Sequence, residues 1–354
     1  MKPFTYTSLP ARVIFGSGTL ASLGDEIKRL GCSRALILST PQQQGDAKAL
    51  AGRIGPLAAG LYANAAMHTP VTVTEEALKV VRDLNADVTV ALGGGSTTGL
   101  GKAIALRTDL PQIVIPTTYA GSEATPILGE TRDGLKTTQR SMKVLPDVIL
   151  YDVDLTLSLP AGLSATSGMN AIAHAVEALY SHDANPITSL MAEEAIRALA
   201  KALPAIVKNP RDSEARSDAL YGAWLCGICL GTVGMALHHK LCHTLGGTFD
   251  LPHAETHTVV LPHAVAYNAS ATPAAMKSLA RALNVDDPVR GLYDLERALG
   301  APASLKELGM PQAGLDKAAD LALANPYWNP RPLERSAIRA LLDDAWTGRP
   351  PSPR

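Results

Sequence analysis

The sequence predicts an α/β domain followed by an all-α domain, and two observations support this prediction. In the first half, short apolar runs alternate with stretches of helical period, a pattern typical of buried parallel strands and their connecting helices. After Asp154 the chain becomes rich in alanine, and its apolar residues recur with the period of a helix. We therefore expect residues 1–158 to form the first domain and residues 159–354 the second.

Three apolar runs predict strands of the first domain, namely ALILST (residues 35–40), DVTVALGGGS (87–96) and QIVIPTT (112–118). The second run ends in glycines and precedes GLGKAIALR, which has the pattern of a helix. The segment TRDGLKTTQRSMKVLPDVILYD predicts a hairpin that returns to the sheet.

Long helices are predicted for the second domain. They cover SLPAGLSATSGMNAIAHAVEALYS, NPITSLMAEEAIRALAKALPAIV, residues 216–246 and ERSAIRALLDDAWTG, with Pro160, Pro186 and Pro204 as boundaries. The longest uncharged run, residues 222–237, contains four glycines and is shorter than a membrane span. It is interpreted as a buried helix.

Composition narrows the classes of function. A hydrophobic fraction of 46%, a charged fraction of 18% and a net charge of −1 are typical of a globular protein without a polybasic surface, so neither nucleic acid nor membrane is expected as a partner. The first residues show no export signal, which favours a cytoplasmic location. Cys226 and Cys229 form a CxxC inside the apolar run and are interpreted as core residues.

A dinucleotide site is predicted where strands of the first domain end. Glycines between a strand and a helix let the backbone approach a diphosphate, and the helix N-terminus favours its charge, although the stretch is not GxGxxG. No Asp or Glu ends the first strand to reject a 2′-phosphate, so either NADH or NADPH is expected. The candidate cofactor-binding residues are Ser39, Thr40, Gly93, Gly94, Gly95, Ser96, Thr117, Thr118 and Ser122.

Histidines at helical spacing predict a shared site in the second domain. Asn170 and His174 are four residues apart, as are His239 and His243, so each pair lies on one helix face. His253 follows a proline at an expected helix start. Two helices and a turn could bring three imidazoles onto one divalent metal. His238 and His263 are interpreted as packed or exposed.

Four segments together resemble the iron-containing alcohol dehydrogenase superfamily, whose architecture is similar to that of dehydroquinate synthase. They are GGGS, PTTYAGSEATP, GMNAIAHAVEALYS and HHKLCHTLGGTFDLPHAETHTVVLPHAVAYN. In that superfamily an Asp and three His hold Fe(II) or Zn(II). The matching residues are Asn170 for the Asp, then His174, His239 and His253, while His243 matches a histidine that faces the substrate. The resemblance also implies a homodimer.

More narrowly, GGGSTTGLGKAIA, PTTYAGSEATP, GLKTTQR and NPYWNPRP resemble the maleylacetate reductase branch. Gly99 stands where the superfamily usually has an Asp after GGGS. The resemblance implies reduction of maleylacetate and its substituted analogues to 3-oxoadipate with NADH or NADPH. Such reactions serve the breakdown of resorcinol, hydroxyquinol or chlorinated aromatic compounds.

The amide at Asn170 leads to the hypothesis that catalysis uses no metal, because Fe(II) favours a carboxylate ligand. Hydride addition to an alkene carbon conjugated to a ketone yields an enolate, which an imidazole can stabilise. His243 or His253 could then donate the proton. Six cations are candidates for the substrate carboxylates, namely Lys102, Arg132, Lys136, Arg140, Lys143 and Lys240.

Three alternatives remain open. A metal-dependent alcohol or glycerol dehydrogenase of the same superfamily would bind metal and oxidise simple alcohols. A lyase resembling dehydroquinate synthase would use NAD without net NADH consumption. A sensor of NAD(H) would bind the coenzyme without turnover.

Overall fold

The computed structural model describes residues 4–352, without the side chain of Lys136. This part of the chain divides into two compact units. The first, residues 8–159, is called here the α/β unit, and the second, residues 160–352 together with residues 4–7, the helical unit.

The α/β unit is built on a parallel six-stranded sheet. In chain order the strands of the unit are β1 (Arg12–Gly16), β2 (Ala35–Leu38), β3 (Ala58–Tyr62), β4 (Val88–Gly93), β5 (Gln112–Pro116), β6 (Ile127–Arg132), β7 (Leu135–Arg140) and β8 (Val148–Asp152). The order across the main sheet is β1-β8-β5-β4-β2-β3, and every pairing in it is parallel. Strands β6 and β7 form a separate antiparallel pair.

Burial explains which strands could be predicted. Strands β2, β4, β5 and β8 are buried along their whole length, and fully buried parallel strands appear in sequence as continuous apolar runs. The two edge strands, β1 (RVIFG) and β3 (AAGLY), are mostly half-buried, and the sequence prediction missed both although each contains apolar residues.

The predicted hairpin is confirmed, and its turn has a local cause. Asp133 and Gly134 connect β6 to β7 with φ angles of 50° and 77°. A two-residue turn with both central residues in the left-handed region suits the twist of the flanking strands, and Asp-Gly is a favoured pair for it. The chain then returns to the main sheet as β8, as expected.

Helices complete both units. Those of the α/β unit are α1 (Leu23–Arg29), α2 (Gln44–Ile54), α3 (Val71–Asp83) and α4 (Gly95–Thr108). Those of the helical unit are α5 (Ala161–Tyr180), α6 (Pro186–Lys208), α7 (Ser213–Thr232), α8 (Leu237–Phe249), α9 (His253–Asn268), α10 (Pro273–Leu283), α11 (Pro288–Ala298), α12 (Leu315–Leu323) and α13 (Arg335–Thr347).

Two predicted helix boundaries in the helical unit are wrong. Pro204 lies inside α6, which continues to Lys208, although Pro160 and Pro186 do mark helix starts. The stretch 216–246 is not one helix, because α7 ends at Thr232 and α8 begins at Leu237. The uncharged run therefore crosses a break between two helices.

Helix α5 is the buried centre of the helical unit. Every residue from Ser164 to Tyr180 is buried, and the helix contacts α6, α7 and α9. Asn170, His174 and Glu177 follow one another at helical spacing, so their side chains lie on one face of a helix enclosed by protein. Polar groups in such a place need partners or a function.

No single helix among residues 4–352 is long and apolar enough to cross a membrane. The consecutive helices α7 and α8 pass by length and composition only when taken together, and they are bent by 95° relative to each other.

Candidate active site

The predicted coenzyme-binding segments follow adjacent strands of the α/β unit. Ser39 and Thr40 follow β2, the glycines follow β4, and Thr117 and Thr118 follow β5. The chain passes from β2 outward to β3, and from β4 in the opposite direction to β5. The carboxyl ends of β2 and β4 therefore flank a topological switch point, where open α/β sheets bind ligands.

Helix α4 begins at this point with its first backbone groups open. Its N-cap is Gly94, which offers no side-chain cap, and no atom lies within 4 Å of the position that a Cβ on Gly95 would occupy. Gly93 has a φ of 145°, and a Cβ there would lie 2.6 Å from Gln43 Oε1. The open N-terminus can therefore accept an anion such as a phosphate, and half-buried Ser96 adds a hydroxyl beside it.

Gln43 is a further residue of this site that the sequence did not single out. Its Nε2 donates a hydrogen bond of 3.1 Å to Thr117 Oγ1, and the Thr117 amide donates to the Gly93 carbonyl at 3.0 Å. These bonds tie the ends of β4 and β5 to the start of α2. Its position in PQQQ, directly after the first predicted strand, could have indicated it.

The hydroxyls of Ser39 and Ser122 are buried and have no hydrogen-bond partner. The absence of a Cβ on Gly94 leaves room for Thr118, whose Cγ2 would otherwise lie 3.0 Å away. Unpaired buried hydroxyls beside an open helix start are available to a ligand.

Lys102 does not fit its predicted role as a ligand of the substrate. Its side chain is buried, and Nζ lies within hydrogen-bond distance of four oxygens that share its three hydrogens, namely Ser122 O at 2.6 Å, Thr125 O at 2.7 Å, Thr125 Oγ1 at 2.9 Å and Ile127 O at 2.9 Å. Burial lowers the pKa of Lys102 to about 7, while nearby Glu123 acts in the opposite direction. Lys102 therefore holds the 122–127 segment against α4.

Gly99 also has a structural explanation. A Cβ at this position would collide with Oγ1 of Thr69, a buried residue whose φ is 47°. The side chain of Thr69 thus occupies the space that a larger residue at position 99 would need.

In the helical unit, five histidines from three helices lie close together. The ring centroids of His174 and His239 are 5.1 Å apart, and those of His239 and His243 are 6.0 Å apart. On α9, the rings of His253 and His257 are separated by 4.3 Å, and His257 lies 5.0 Å from His239. Helices α5, α8 and α9 thus place the predicted histidines in one cluster.

The cluster has a buried part and an exposed part. Asn170, His174 and His239 are buried, whereas His243 and His253 are exposed. Within the buried part, Asn170 Oδ1, His174 Nδ1 and His239 Nε2 have no hydrogen-bond partner. Burial holds the pKa of His174 well below its usual value, and the neighbouring imidazoles, His239 first, lower it further. His174 is therefore neutral at pH 7.

Glu177 fixes His239 in one tautomer. Its carboxylate is fully buried and accepts hydrogen bonds from the backbone amides of Ala236 at 2.7 Å and His238 at 2.8 Å. The same carboxylate lies 2.8 Å from Nδ1 of His239. Because a carboxylate only accepts, Nδ1 of His239 carries a hydrogen, and in the neutral ring Nε2 is then the nitrogen with the lone pair. The sequence prediction missed Glu177, although it follows His174 by three residues.

His238 and His257 were not predicted as site residues. Both are completely buried, and His238 Nε2 forms a 3.0 Å hydrogen bond with His257 Nδ1. Cys242 Sγ lies 3.7 Å from the same His238 nitrogen. Burial lowers the pKa of both imidazoles well below the usual value, and the surrounding histidines add to this effect. The i, i+4 spacing of His253 and His257 was a signal available in the sequence.

Residues of the NPYWNPRP turn contact the exposed part of the cluster. The Tyr327 hydroxyl lies 2.9 Å from His243 Nδ1, and Lys240 Nζ lies 5.8 Å from the centroid of the Tyr327 ring. Asn329 holds the turn through mutual amide hydrogen bonds of 2.9 Å and 2.7 Å with Asn268 at the end of α9. Lys240 Nζ also donates to the Ala324 carbonyl at 3.1 Å, so Lys240 is a cation candidate on the same helix as His239 and His243.

The remaining cation candidates belong to the α/β unit. Arg132 and Arg140 lie in the β6–β7 hairpin, and Lys143 forms an ion pair of 2.7 Å with Asp109. The side chain of Lys136 lies outside the described part of the chain.

Comparison with known proteins shows to which family the chain belongs. A model described as "Iron-containing alcohol dehydrogenase" matches residues 10–153, and one described as "Fe-containing alcohol dehydrogenase family, C-terminal" matches residues 164–346. The chain belongs to the iron-containing alcohol dehydrogenase family. The predicted superfamily and fold class are thereby confirmed, and members of the family are NAD(P)-dependent oxidoreductases.

Within the iron-containing alcohol dehydrogenase family, the chain is similar over its whole length to proteins named maleylacetate reductase. It is 61% identical to "Maleylacetate reductase" of Rhizobium sp. (strain MTP-10005), covering 99% of this chain and 100% of the relative. It is 60% identical to "Maleylacetate reductase" of Sphingobium indicum, covering 98% and 99%. The crystal structure of maleylacetate reductase from Agrobacterium tumefaciens superposes with a TM-score of 0.97 at 59% identity, covering 99% and 100%. The predicted branch is confirmed.

The residues that match the superfamily's metal ligands include an amide and an exposed imidazole. The amide of Asn170 contributes no negative charge, and His253 is exposed. Within residues 4–352, the set of three His, Cys, Asp or Glu side chains with all ligand atoms within 4.8 Å of one another is His238, Cys242 and His257. The matching set thus has a neutral amide in place of a carboxylate, while three of its buried ligand atoms, on Asn170, His174 and His239, have no hydrogen-bond partner.

Proposed function

We propose that this protein reduces the carbon–carbon double bond of maleylacetate, yielding 3-oxoadipate, with NADH or NADPH. The observation that carries the proposal is 61% identity over 351 residues to a protein named for this reaction. The proposed metabolic role is the breakdown of aromatic compounds. A keto diacid with a conjugated alkene also suits a site rich in imidazoles.

The α/β unit is proposed to hold the coenzyme, and the helical unit the substrate, with the division near residue 158. The open start of α4 would receive the diphosphate at Gly93, Gly94, Gly95 and Ser96. Hydroxyls at Ser39, Thr40, Thr117, Thr118 and Ser122 would bind the remaining polar groups. The absence of an acid at the end of β2 supports acceptance of both NADH and NADPH.

When bound, the reduced nicotinamide supplies a hydride, which adds to the alkene carbon β to the substrate ketone. The electron pair of the alkene then moves onto the ketone oxygen, which becomes an enolate. An imidazole N–H group of His174, His243 or His253 would stabilise this oxygen, as in an oxyanion hole, while His239 would position the cluster with its own N–H held by Glu177. His243 or His253 would then donate a proton to the α carbon and restore the ketone.

The exposed positions of His243 and His253 support their role as proton donors. An exposed imidazole exchanges its proton with solvent and can be recharged between turnovers. Buried His174 stays neutral, because burial lowers its pKa, so it can serve as a neutral hydrogen-bonding group. His239, held by Glu177, and the amide of Asn170 complete the proposed site.

Catalysis is proposed to need no metal. The donor set has lost its carboxylate, and the enolate forms by conjugate addition, which requires less polarisation of the ketone than direct carbonyl reduction. The imidazoles can supply that smaller amount of stabilisation. The alternative of a metal-dependent alcohol or glycerol dehydrogenase is not favoured, since relatives named maleylacetate reductase match at 52–61% identity.

Metal-free enzyme tests the proposal directly. After exhaustive chelation, NADH oxidation is followed with maleylacetate and, separately, with simple aldehydes. We expect maleylacetate-dependent oxidation at an unchanged rate and little turnover of the aldehydes. Loss of maleylacetate turnover on chelation, restored by Fe(II) or Zn(II), would contradict metal independence, while turnover of simple aldehydes alone would contradict the proposed substrate.

A homodimer in the cytoplasm is proposed from the family resemblance. Light scattering of the purified protein checks the oligomeric state, and fractionation of the producing cell checks the location.

A further inference from the structure

We propose that His238, Cys242 and His257 form a binding site for a thiophilic cation such as Zn(II). None of the three matches a ligand position of the superfamily. All three are buried, and their ligand atoms lie within 4.8 Å of one another. Two imidazoles with one thiolate are a ligand set that zinc prefers, with a fourth position left for water or another donor.

Two separations within this cluster are already close to those around a bound ion. His238 Nε2 and His257 Nδ1 are 3.0 Å apart, and Cys242 Sγ is 3.7 Å from the first of these atoms. Tetrahedral zinc with bonds of roughly 2.0–2.3 Å separates two nitrogens by about 3.3 Å and a nitrogen from a sulfur by about 3.6 Å. Small side-chain adjustments would therefore suffice.

Helix geometry maintains this arrangement. His238 and Cys242 are four residues apart on α8, so they present one face toward α9, which carries His257. Leu241, Leu245 and Val260 pack in the core around the cysteine. A site on two packed helices is rigid enough to hold its ligands without an ion in place.

Binding of a divalent ion at this site requires two changes in protonation. The hydrogen shared between His238 Nε2 and His257 Nδ1 must leave that position, and it can move to the other nitrogen of the same ring. Those far nitrogens, His238 Nδ1 and His257 Nε2, are buried without a partner. The thiol of Cys242 releases one proton to solvent, so a divalent ion and a thiolate leave a net charge of +1. Burial and, to a smaller extent, the carboxylate of Glu177 raise the pKa of the Cys242 thiol, so the ion itself must displace this proton; once the ion is bound, the same carboxylate offsets the positive charge.

Such a site would change how metal found in the purified protein is interpreted. An ion at this site would be separate from the superfamily position, so its presence would not show that turnover needs a metal. Metal content and catalysis can therefore be tested independently.

Cobalt(II) gives the clearest test, because a thiolate ligand produces a charge-transfer absorption band. Metal-stripped, full-length protein is titrated with CoCl2, and we expect the band to saturate at one equivalent. Cys242→Ser should abolish it. His257→Gln keeps the thiol and should weaken cobalt binding more than about tenfold, since even outer partners of a metal site contribute that much.

Two control variants distinguish this site from another buried thiol and from the superfamily ligand position. Cys226→Ser removes a buried cysteine of α7 and should keep the band, as should His253→Ala at the superfamily position. The proposal is overturned if wild-type protein shows no saturable band. It is equally overturned if Cys242→Ser keeps the band, or if only His253→Ala removes it. Maleylacetate turnover by metal-stripped protein is measured alongside and tests the proposed function separately.

Discussion

The carboxylate of Glu177 accepts a hydrogen bond from Nδ1 of His239 at 2.8 Å, and both side chains are almost completely shielded from solvent. The same carboxylate caps the first backbone amides of α8. One acidic residue of α5 thus positions the helix that carries His239 and also selects the nitrogen that the imidazole leaves free.

Replacing Glu177 by Gln should lower kcat by about 10- to 100-fold while leaving the Kd of NADH nearly unchanged. The amide keeps one acceptor oxygen for three donors and turns its N–H groups toward at least one of them, so His239 loses its fixed orientation. Steady-state kinetics with maleylacetate and a fluorescence titration with NADH measure the two effects. Glu296→Gln, another buried carboxyl, is the control and should keep wild-type kinetics.

Removing either proposed proton donor should slow the chemical step and leave coenzyme binding nearly unchanged. We expect His243→Ala or His253→Ala to depress kcat by roughly 10²- to 10⁴-fold, the range for a general acid, with little change in NADH affinity. His182→Ala removes an exposed histidine that contacts Trp328 and should stay within about twofold of wild type. If both cluster variants retain near-normal kcat, the proposed proton transfer is wrong.

Lys240 should bind a substrate carboxylate. It lies on α8 between His239 and His243, and its Nζ lies near the Tyr327 ring. Lys240→Met should raise the KM for maleylacetate by about tenfold or more and lower kcat much less, since an ion pair of about 1–3 kcal/mol is lost. Lys143→Met is the matched control, because that lysine pairs with Asp109. An unchanged KM for Lys240→Met would exclude the role.

Lys102→Met should destabilise the α/β unit and weaken coenzyme binding. The change removes the Lys102 donor from the carbonyls of Thr125 and Ile127, which costs roughly 3 kcal/mol, while the Ser122 carbonyl still accepts from Thr125. Urea unfolding measures the loss of stability, and NADH fluorescence measures the Kd. A variant with wild-type stability and an unchanged Kd would show that the buried ammonium does not hold this segment.

Glu296 should make stability depend on pH. Burial raises the pKa of its carboxyl from 4.5 to about 8. The folded protein therefore binds one more proton than the unfolded chain between these values. The free energy of unfolding falls with rising pH there, by about 1.4 kcal/mol per unit, and is constant above pH 8.

Glu296→Gln removes this dependence, so the variant should gain stability relative to wild type between pH 5.5 and pH 8.5. Urea unfolding at both pH values measures the difference. Glu194→Gln, at an exposed ion pair with Arg197, should change stability equally at the two values. A difference between wild type and Glu296→Gln that does not vary with pH would contradict the raised pKa.

The sequence alone could predict what local pattern controls. Buried strands appeared as apolar runs, the glycines marked the start of α4, and the i, i+4 spacings placed Asn170 with His174 and His239 with His243. Edge strands β1 and β3 were not predicted, although they contain the apolar residues of RVIFG and AAGLY, because such short apolar runs do not by themselves distinguish a strand from a helix or a loop. The sequence did not predict that α7 ends at Thr232, because no charged residue or proline lies at that boundary.

The sequence by itself determined the fold class, the family and the candidate residues of the site. Periodicity and motifs depend only on residues that are close in sequence. Tertiary structure alone decided how those residues are used. It showed that Lys102 is buried against carbonyls, that Thr69 fills the space beside Gly99, and that Glu177 orients His239. It also brought His238, Cys242 and His257 together. Burial and partner choice depend on contacts between helices, and no spacing within one segment encodes them.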